Sequence, residues 1–152
     1  MPNAIHEYPV VVDWFGGRDG AGTIVPQASQ FETPISVPPE FGGNGGATNP
    51  EELLTSAIAG CYSITFGIVA ANRKLPVTAL RVEALGEVEE KGPSFTYRKI
   101  TLRPHITLQS ESTEEQVELT KKMALQADHY CIVTNAVRDK VEVVVEPTIE
   151  RG

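Results

Sequence analysis

Two cysteines, Cys61 and Cys131, are the side chains of this protein best suited to covalent chemistry, and they stand 70 positions apart. That spacing fits neither a secreted disulfide scaffold nor a zinc-ligand pattern. In a cytoplasmic setting such a pair is either inert packing or redox-active. Cys61 lies in an apolar stretch, where a thiol is a small hydrophobe unless a cation stabilises its charged form. Arginine suits that task because its charge survives in an apolar site. Arg18 is the candidate, in the turn Gly16-Gly17-Arg18-Asp19-Gly20, which is able to fold over a helix. The plainer reading of Arg18 is a solvated turn residue, and Arg98 and Arg103 read as exposed strand positions. Cys131 reads either as a second packed thiol or as a resolving cysteine that captures a sulfenic acid as a disulfide. Spacing alone leaves its distance from Cys61 open. The histidines add little. His6 carries no signal, His105 alternates outward on a strand, and His129, two residues before Cys131, is poorly placed as a base without a sharp bend.

These residues need elements to hold them. Residues 1–47 predict short strands and a glycine-rich loop. Tyr8 to Trp14 is β-branched and aromatic, Thr23 to Val25 is its return strand, and PPEFGGNGGA at 38–47 is a loop. Residues 49–74 predict a long helix, with Asn49 as cap, Pro50 at the first position, and Glu51 and Glu52 on the positive end of the dipole. Its inner face is expected at Leu54, Ile58, Cys61, Thr65 and Ile68. The remaining faces are also uncharged, so the helix must be covered all round, and a partner subunit is the natural cover in so small a chain. Residues 77–108 alternate apolar and polar with period two, predicting a hairpin that turns at Lys91-Gly92-Pro93-Ser94. Residues 112–137 predict a helical region. It opens with a capping box from Ser112 or Thr113 to Glu115 or Gln116 and is interrupted at Asp128–Cys131. Val141, Val143 and Val145 predict a last strand over 140–147. Strands, helix, strands, helix, strand is an α+β order, and 152 residues suit a single domain.

Composition narrows the class. Charged residues are 22% and apolar ones 41%, an ordinary globular balance. The net charge of −7 and 13 scattered basic residues give no pull toward nucleic acid or an anionic membrane. The opening MPNAIHEYPV lacks a signal-peptide pattern, so the expected location is cytoplasmic. Leu53 to Asn72 is long enough to span a bilayer, but Thr55, Ser56, Ser63, Thr65, Gly60 and Gly67 make it a core helix by preference.

The segment FGGNGGATNPEELLTSAIAGCY resembles the central motif of the OsmC/Ohr family, the osmotically inducible and organic hydroperoxide resistance proteins. There a Gly-rich loop and a Thr-Asn-Pro-Glu helix start lead, ten residues after the Glu, to a peroxidatic cysteine. Glu51 and Cys61 match that spacing. GGRDG resembles the loop of the family's catalytic arginine, which falls on Arg18. CIVTNAV resembles the second-cysteine motif and lands on Cys131, with Ile132 and Thr134 standing where the family often has proline and serine. Length and element order fit over essentially the whole chain.

The resemblance implies antiparallel sheets around a long central helix in an intertwined homodimer. It also implies a thiol peroxidase with no bound cofactor. In that scheme Arg18, held by Glu51, stabilises the Cys61 thiolate, which attacks an organic hydroperoxide. Cys131 resolves the sulfenic acid, and an external dithiol of the lipoyl type reduces the disulfide. Helix geometry adds that ten residues separate Glu51 and Cys61 by roughly 15 Å along the axis. A Glu–Arg pair serving Cys61 therefore predicts a site built from two subunits. A non-catalytic redox sensor and an apolar small-molecule binding module are the competing readings.

Overall fold

The computed structural model describes residues 2–152 and divides into two compact units, one ending at Leu53 and the other running Leu54–Gly152. In the first unit, β1 (Val10–Phe15), β2 (Ala21–Pro26) and β3 (Thr33–Ile35) form an antiparallel sheet in that order. The register runs from Val10 opposite Pro26 to Phe15 opposite Ala21. β1 begins two residues later than the sequence suggests. The turn between β1 and β2 depends on Gly16, whose φ of 101° is open only to a residue without a Cβ. The Trp14 indole donates to the Gly16 carbonyl at 3.0 Å. After β3 the loop contains one short 3₁₀ turn, Pro39–Phe41, closed by Gly42 in the left-handed region.

The helix α1 (Pro50–Asn72) starts where its sequence signals lie. The Asn49 side chain accepts from the Glu52 amide at 2.9 Å, and the Thr48 hydroxyl donates to the Glu52 carboxylate. One of the otherwise unpaired amides of the first turn is thereby engaged, and the Glu52 side chain is held beside it.

In the second unit, β4 (Val77–Lys91) and β5 (Ser94–Leu108) make a long antiparallel hairpin turning at Gly92-Pro93. Gly86 on β4 permits a close crossing. A Cβ there would fall 2.4 Å from the Thr55 hydroxyl and 2.3 Å from that of Tyr97, which hydrogen-bond to each other at 2.6 Å. The chain then passes through α2 (Glu114–Gln126), a 3₁₀ turn (Ala127–Tyr130) and α3 (Ile132–Val137). The capping box of α2 is made by Thr113 and Gln116. The return crosses over, so β6 (Glu142–Val145) pairs parallel to β5 at Lys99–Leu102. A further strand, β7 (Thr148–Arg151), pairs parallel to β5 at His105–Leu108. The sheet is therefore mixed rather than purely antiparallel, and the single expected last strand is two.

The core joins Ile100, Leu102, Ile106 and Leu108 of β5 to Met123 and Ala124 of α2 and to Ile58, Tyr62, Phe66 and Ala70 of α1. The inner face of α1 thus differs from the expected one. The stripe follows the large rings of Tyr62 and Phe66, which stack with centroids 6.3 Å apart. Cys61 and Thr65 sit half-buried at its edge, while Ile64 and Ile68 are 67% and 56% exposed. The Tyr62 hydroxyl donates to the Ala124 carbonyl at 2.6 Å and ties α1 to α2.

Candidate functional site

The two thiols come together. Cys61, from the middle of α1, is partly accessible. Cys131, in the bend between the 3₁₀ turn and α3, is fully buried, and both are reduced. They are close enough for Cys61 to bear on the ionisation of Cys131. Cys131 Sγ also donates to the Ala127 carbonyl at 3.4 Å. Burial pushes the Cys131 thiol above its ordinary value, and the neighbouring Cys61 adds to that. The side-chain hydroxyls of Thr65, from α1, and Thr134, from α3, pull the other way by favouring the thiolate.

A second set of contacts fixes the bend that carries Cys131. Asp128 is nearly buried, and Arg138 clamps it twice, at 3.1 Å to the carboxylate and 2.8 Å to the carbonyl. Arg138 also donates to Asn135 at 3.0 Å, and Asn135 donates to the His129 carbonyl at 2.9 Å. The Cys131 turn is thus held at both ends by one network. The His129 ring is 65% exposed and faces Asp128 at 4.0 Å, whereas Cys131 has no exposed surface. A Cys–His hydrolase pair does not fit that geometry. Tyr62 is buried beside the same group. Its hydroxyl is pushed far above the usual phenol range, first by desolvation and then by the nearby Asp128 and Cys131.

Arg18 and Glu51 belong to the N-terminal unit. The glycine turn folds against the loop leading to α1. Arg18 Nη1 donates to the Phe41 carbonyl, and its aliphatic stem passes over Gly42, where a Cβ would lie 2.9 Å from Arg18 Cδ. Asn44 Nδ2 donates to the Asp19 carbonyl at 3.1 Å. Phe41 and Glu51 line one mostly apolar pocket of about 290 Å³ with Trp14, Ile35, Ser36 and Val37. Arg18 is therefore anchored to the loop while it stays exposed, and its turn sequence does not reveal that anchor. Thr65, Thr134, Tyr62 and the Asp128–Arg138 clamp were not legible as site residues. The only available signal was spacing: Thr65 is one helical turn after Cys61, and Thr134 is three residues after Cys131.

A half-buried thiol neighbouring a fully buried one, on an α+β scaffold with a long apolar helix, defines a protein with two paired free thiols at one site. The model of the OsmC-like protein family matches residues 43–146, and the chain belongs to that family. It is 33% identical over 149 residues to the uncharacterized protein YmaD of Bacillus subtilis, covering 98% of each chain. Its fold matches an OsmC-like protein of unknown function from Vibrio cholerae with a TM-score of 0.80. That match has 22% identity and covers 95% of this chain and 100% of the other. A putative organic hydroperoxide resistance protein from Vibrio cholerae, with captopril bound in one of its active sites, superposes with a TM-score of 0.72. Identity there is 26%, covering 98% of this chain and 93% of the other.

Proposed function

We propose that this protein is a thiol-dependent peroxidase that reduces organic hydroperoxides to alcohols. The observation that carries the reading is the proximity of the partly accessible Cys61 thiol to the buried Cys131 thiol. Partial exposure suits the first sulfur to attack on peroxide, and proximity suits the second to capture of the product. The Cys61 thiolate attacks the distal peroxide oxygen. The O–O bond breaks, the alkoxide leaves as alcohol after taking a proton, and Cys61 becomes a sulfenic acid. Cys131 then displaces hydroxide, forming the Cys61–Cys131 disulfide and water. An external dithiol of the lipoyl type reduces the disulfide, so no bound cofactor is required. Arg18 stabilises the thiolate and the developing charge on oxygen, and Glu51 holds Arg18 by a two-pronged ion pair. The apolar surroundings of Cys61 favour alkyl and lipid hydroperoxides.

The working form is a cytoplasmic homodimer whose two sites each draw on both subunits. Supporting this, an 18-residue window of α1 is apolar enough to cross a membrane yet only 22% buried within one chain. Every residue of β1 is likewise exposed, including Val10, Val11, Val12 and Phe15. Apolar area on this scale calls for a cover. The Thr and Ser residues on α1 suit a second copy better than lipid.

Consumption of cumene hydroperoxide with dihydrolipoamide, in wild type and in Cys61→Ser, tests the proposal. Turnover that disappears in Cys61→Ser is expected. Wild-type consumption no faster than that variant would overturn the enzyme. If Cys61 still oxidised without turnover, a redox sensor would take its place.

A further inference from the structure

We propose that Arg138, Asp128 and Asn135 are positioning residues of the resolving step, a closed ring of hydrogen bonds that holds Cys131 where its sulfur can attack an oxidised Cys61. The proposal rests on the peroxidase reading above. Cys131 is a single extended residue between two helical segments, the 3₁₀ turn Ala127–Tyr130 and the six-residue α3. Little that is local holds it there. Its side chain gives α3 no cap, and so short a helix is not stable by itself. Its neighbours Tyr130 and Ile132 are both exposed, so their packing does not pin the bend. The ring supplies what they lack. Arg138, at the C-cap of α3, reaches back over the whole helix to Asp128. Its Nη2 donates to the Asp128 carbonyl at 2.8 Å, the same carbonyl that accepts from the Cys131 amide at 3.2 Å. Its Nη1 donates to the Asp128 carboxylate at 3.1 Å, and its Nε to Asn135 Oδ1 at 3.0 Å. Asn135 closes the ring. Its side chain donates to the His129 carbonyl and its amide to the Cys131 carbonyl, each at 2.9 Å.

Stability alone is a poor reason for this arrangement. The Asp128 carboxylate is nearly buried, and a buried ion pair is often no more stabilising than apolar groups of the same size. Its better-attested use is to fix one conformation against others. All the bonds of the ring begin and end within residues 128–138, so it acts on the reaction only through where it puts Cys131. In the step it serves, Cys131 Sγ leaves the Ala127 carbonyl and attacks the Cys61 sulfenic sulfur. The S–S bond forms, the S–OH bond breaks, and the hydroxide leaves as water with the Cys131 proton. No external oxidant or reductant enters. The reaction is intramolecular, so its rate depends on holding the two sulfurs in reach and in line, and a misplacement of about 1 Å costs about a hundredfold.

The test is single-turnover rapid quench with one equivalent of cumene hydroperoxide on wild type, Arg138→Met, Asn135→Ala and Asp128→Asn, at a temperature where circular dichroism shows each to be folded. Alcohol release, which reports attack by Cys61, and disulfide formation are read separately. Arg138→Met is expected to form disulfide about tenfold to a hundredfold more slowly, with alcohol release at the wild-type rate. Under excess peroxide its Cys61 should accumulate sulfinic acid, seen by mass. Asn135→Ala, at an exposed position that the fold tolerates, should slow the same step by about threefold to tenfold, the loss of one or two neutral hydrogen bonds. Asp128→Asn keeps the shape and an oxygen for Arg138 and should resolve close to the wild-type rate, because the ring supplies placement rather than charge. An Asp128→Asn enzyme as slow as Arg138→Met overturns that. Folded variants that resolve at the wild-type rate, or that slow both steps alike, overturn the proposal and leave the peroxidase intact. A wild type that releases alcohol without forming the disulfide removes the resolving role of Cys131 and the proposal with it. A wild type that releases no alcohol overturns the peroxidase reading itself.

Discussion

Oxidation should make this protein markedly more heat-stable, and the size of the effect follows from the placement of its thiols. Cys61 and Cys131 are neighbours in the reduced form, so a bond between them should require little backbone movement. They are 70 positions apart, so the bond closes a long loop in the unfolded chain. Chain-entropy reasoning gives about 4 kcal/mol for a loop of that length. The loss of the Cys131 thiol bond to Ala127 subtracts about 1 kcal/mol. At about 2–4 °C per kcal/mol for a chain of this size, the midpoint should rise by about 6–12 °C. The assay is thermal unfolding followed by circular dichroism, before and after one equivalent of cumene hydroperoxide, with the intramolecular bond verified by mass. Cys131→Ser should show no rise. An oxidised wild type that carries the bond but melts at or below the reduced protein would refute the reasoning, because bond formation would then distort the fold. Oxidation that yields only intermolecular disulfides would refute the placement of the thiols.

Tyr62→Phe keeps the ring against Phe66 but leaves the Ala124 carbonyl without its donor, and should cost about 1–3 kcal/mol in urea unfolding. The pH dependence of stability in reduced protein should follow Cys131. Its folded pKa is raised, so above the unfolded thiol value of about 8.5 the native state keeps a proton that the unfolded state has lost. Stability then falls as pH rises from there through the folded value, and denaturant midpoints for Cys131→Ala should fall less steeply over that range. Ile64→Glu, on the exposed face of α1, should convert a dimer to monomers in sedimentation experiments. A monomeric wild type would remove the covering subunit from the account.

Much of the scaffold was legible because its signals are local. Asn49 and Pro50 announce α1, Thr113 and Gln116 announce α2, and the alternation through Leu80–Leu108 announces the hairpin. The misses are all non-local. β7 is four residues with half-hidden alternation, and only its parallel pairing to β5 makes it a strand. The direction of β6 is set by the crossover through α2 and α3, which no short window contains. The buried face of α1 was assigned by average helical spacing, whereas the bulk of Tyr62 and Phe66 decides it. The same distinction holds for the site. That Cys61 and Cys131 neighbour each other, from positions 70 residues apart, is a property of the fold that spacing left open. The hydroxyls that flank Cys131 come from two helices far apart in sequence, and the Asp128–Arg138 clamp spans a bend.

The most direct test of the central claim is to locate the first oxidation product. Reduced Cys131→Ser would receive one equivalent of cumene hydroperoxide in the presence of dimedone, with the adduct mapped by peptide mass and the alcohol quantified. The account predicts one adduct per chain, on Cys61, matched by one equivalent of cumyl alcohol. It also predicts no adduct in Cys61→Ser. Alcohol released without a Cys61 adduct, or an adduct on Cys131 when Cys61 is absent, would contradict it.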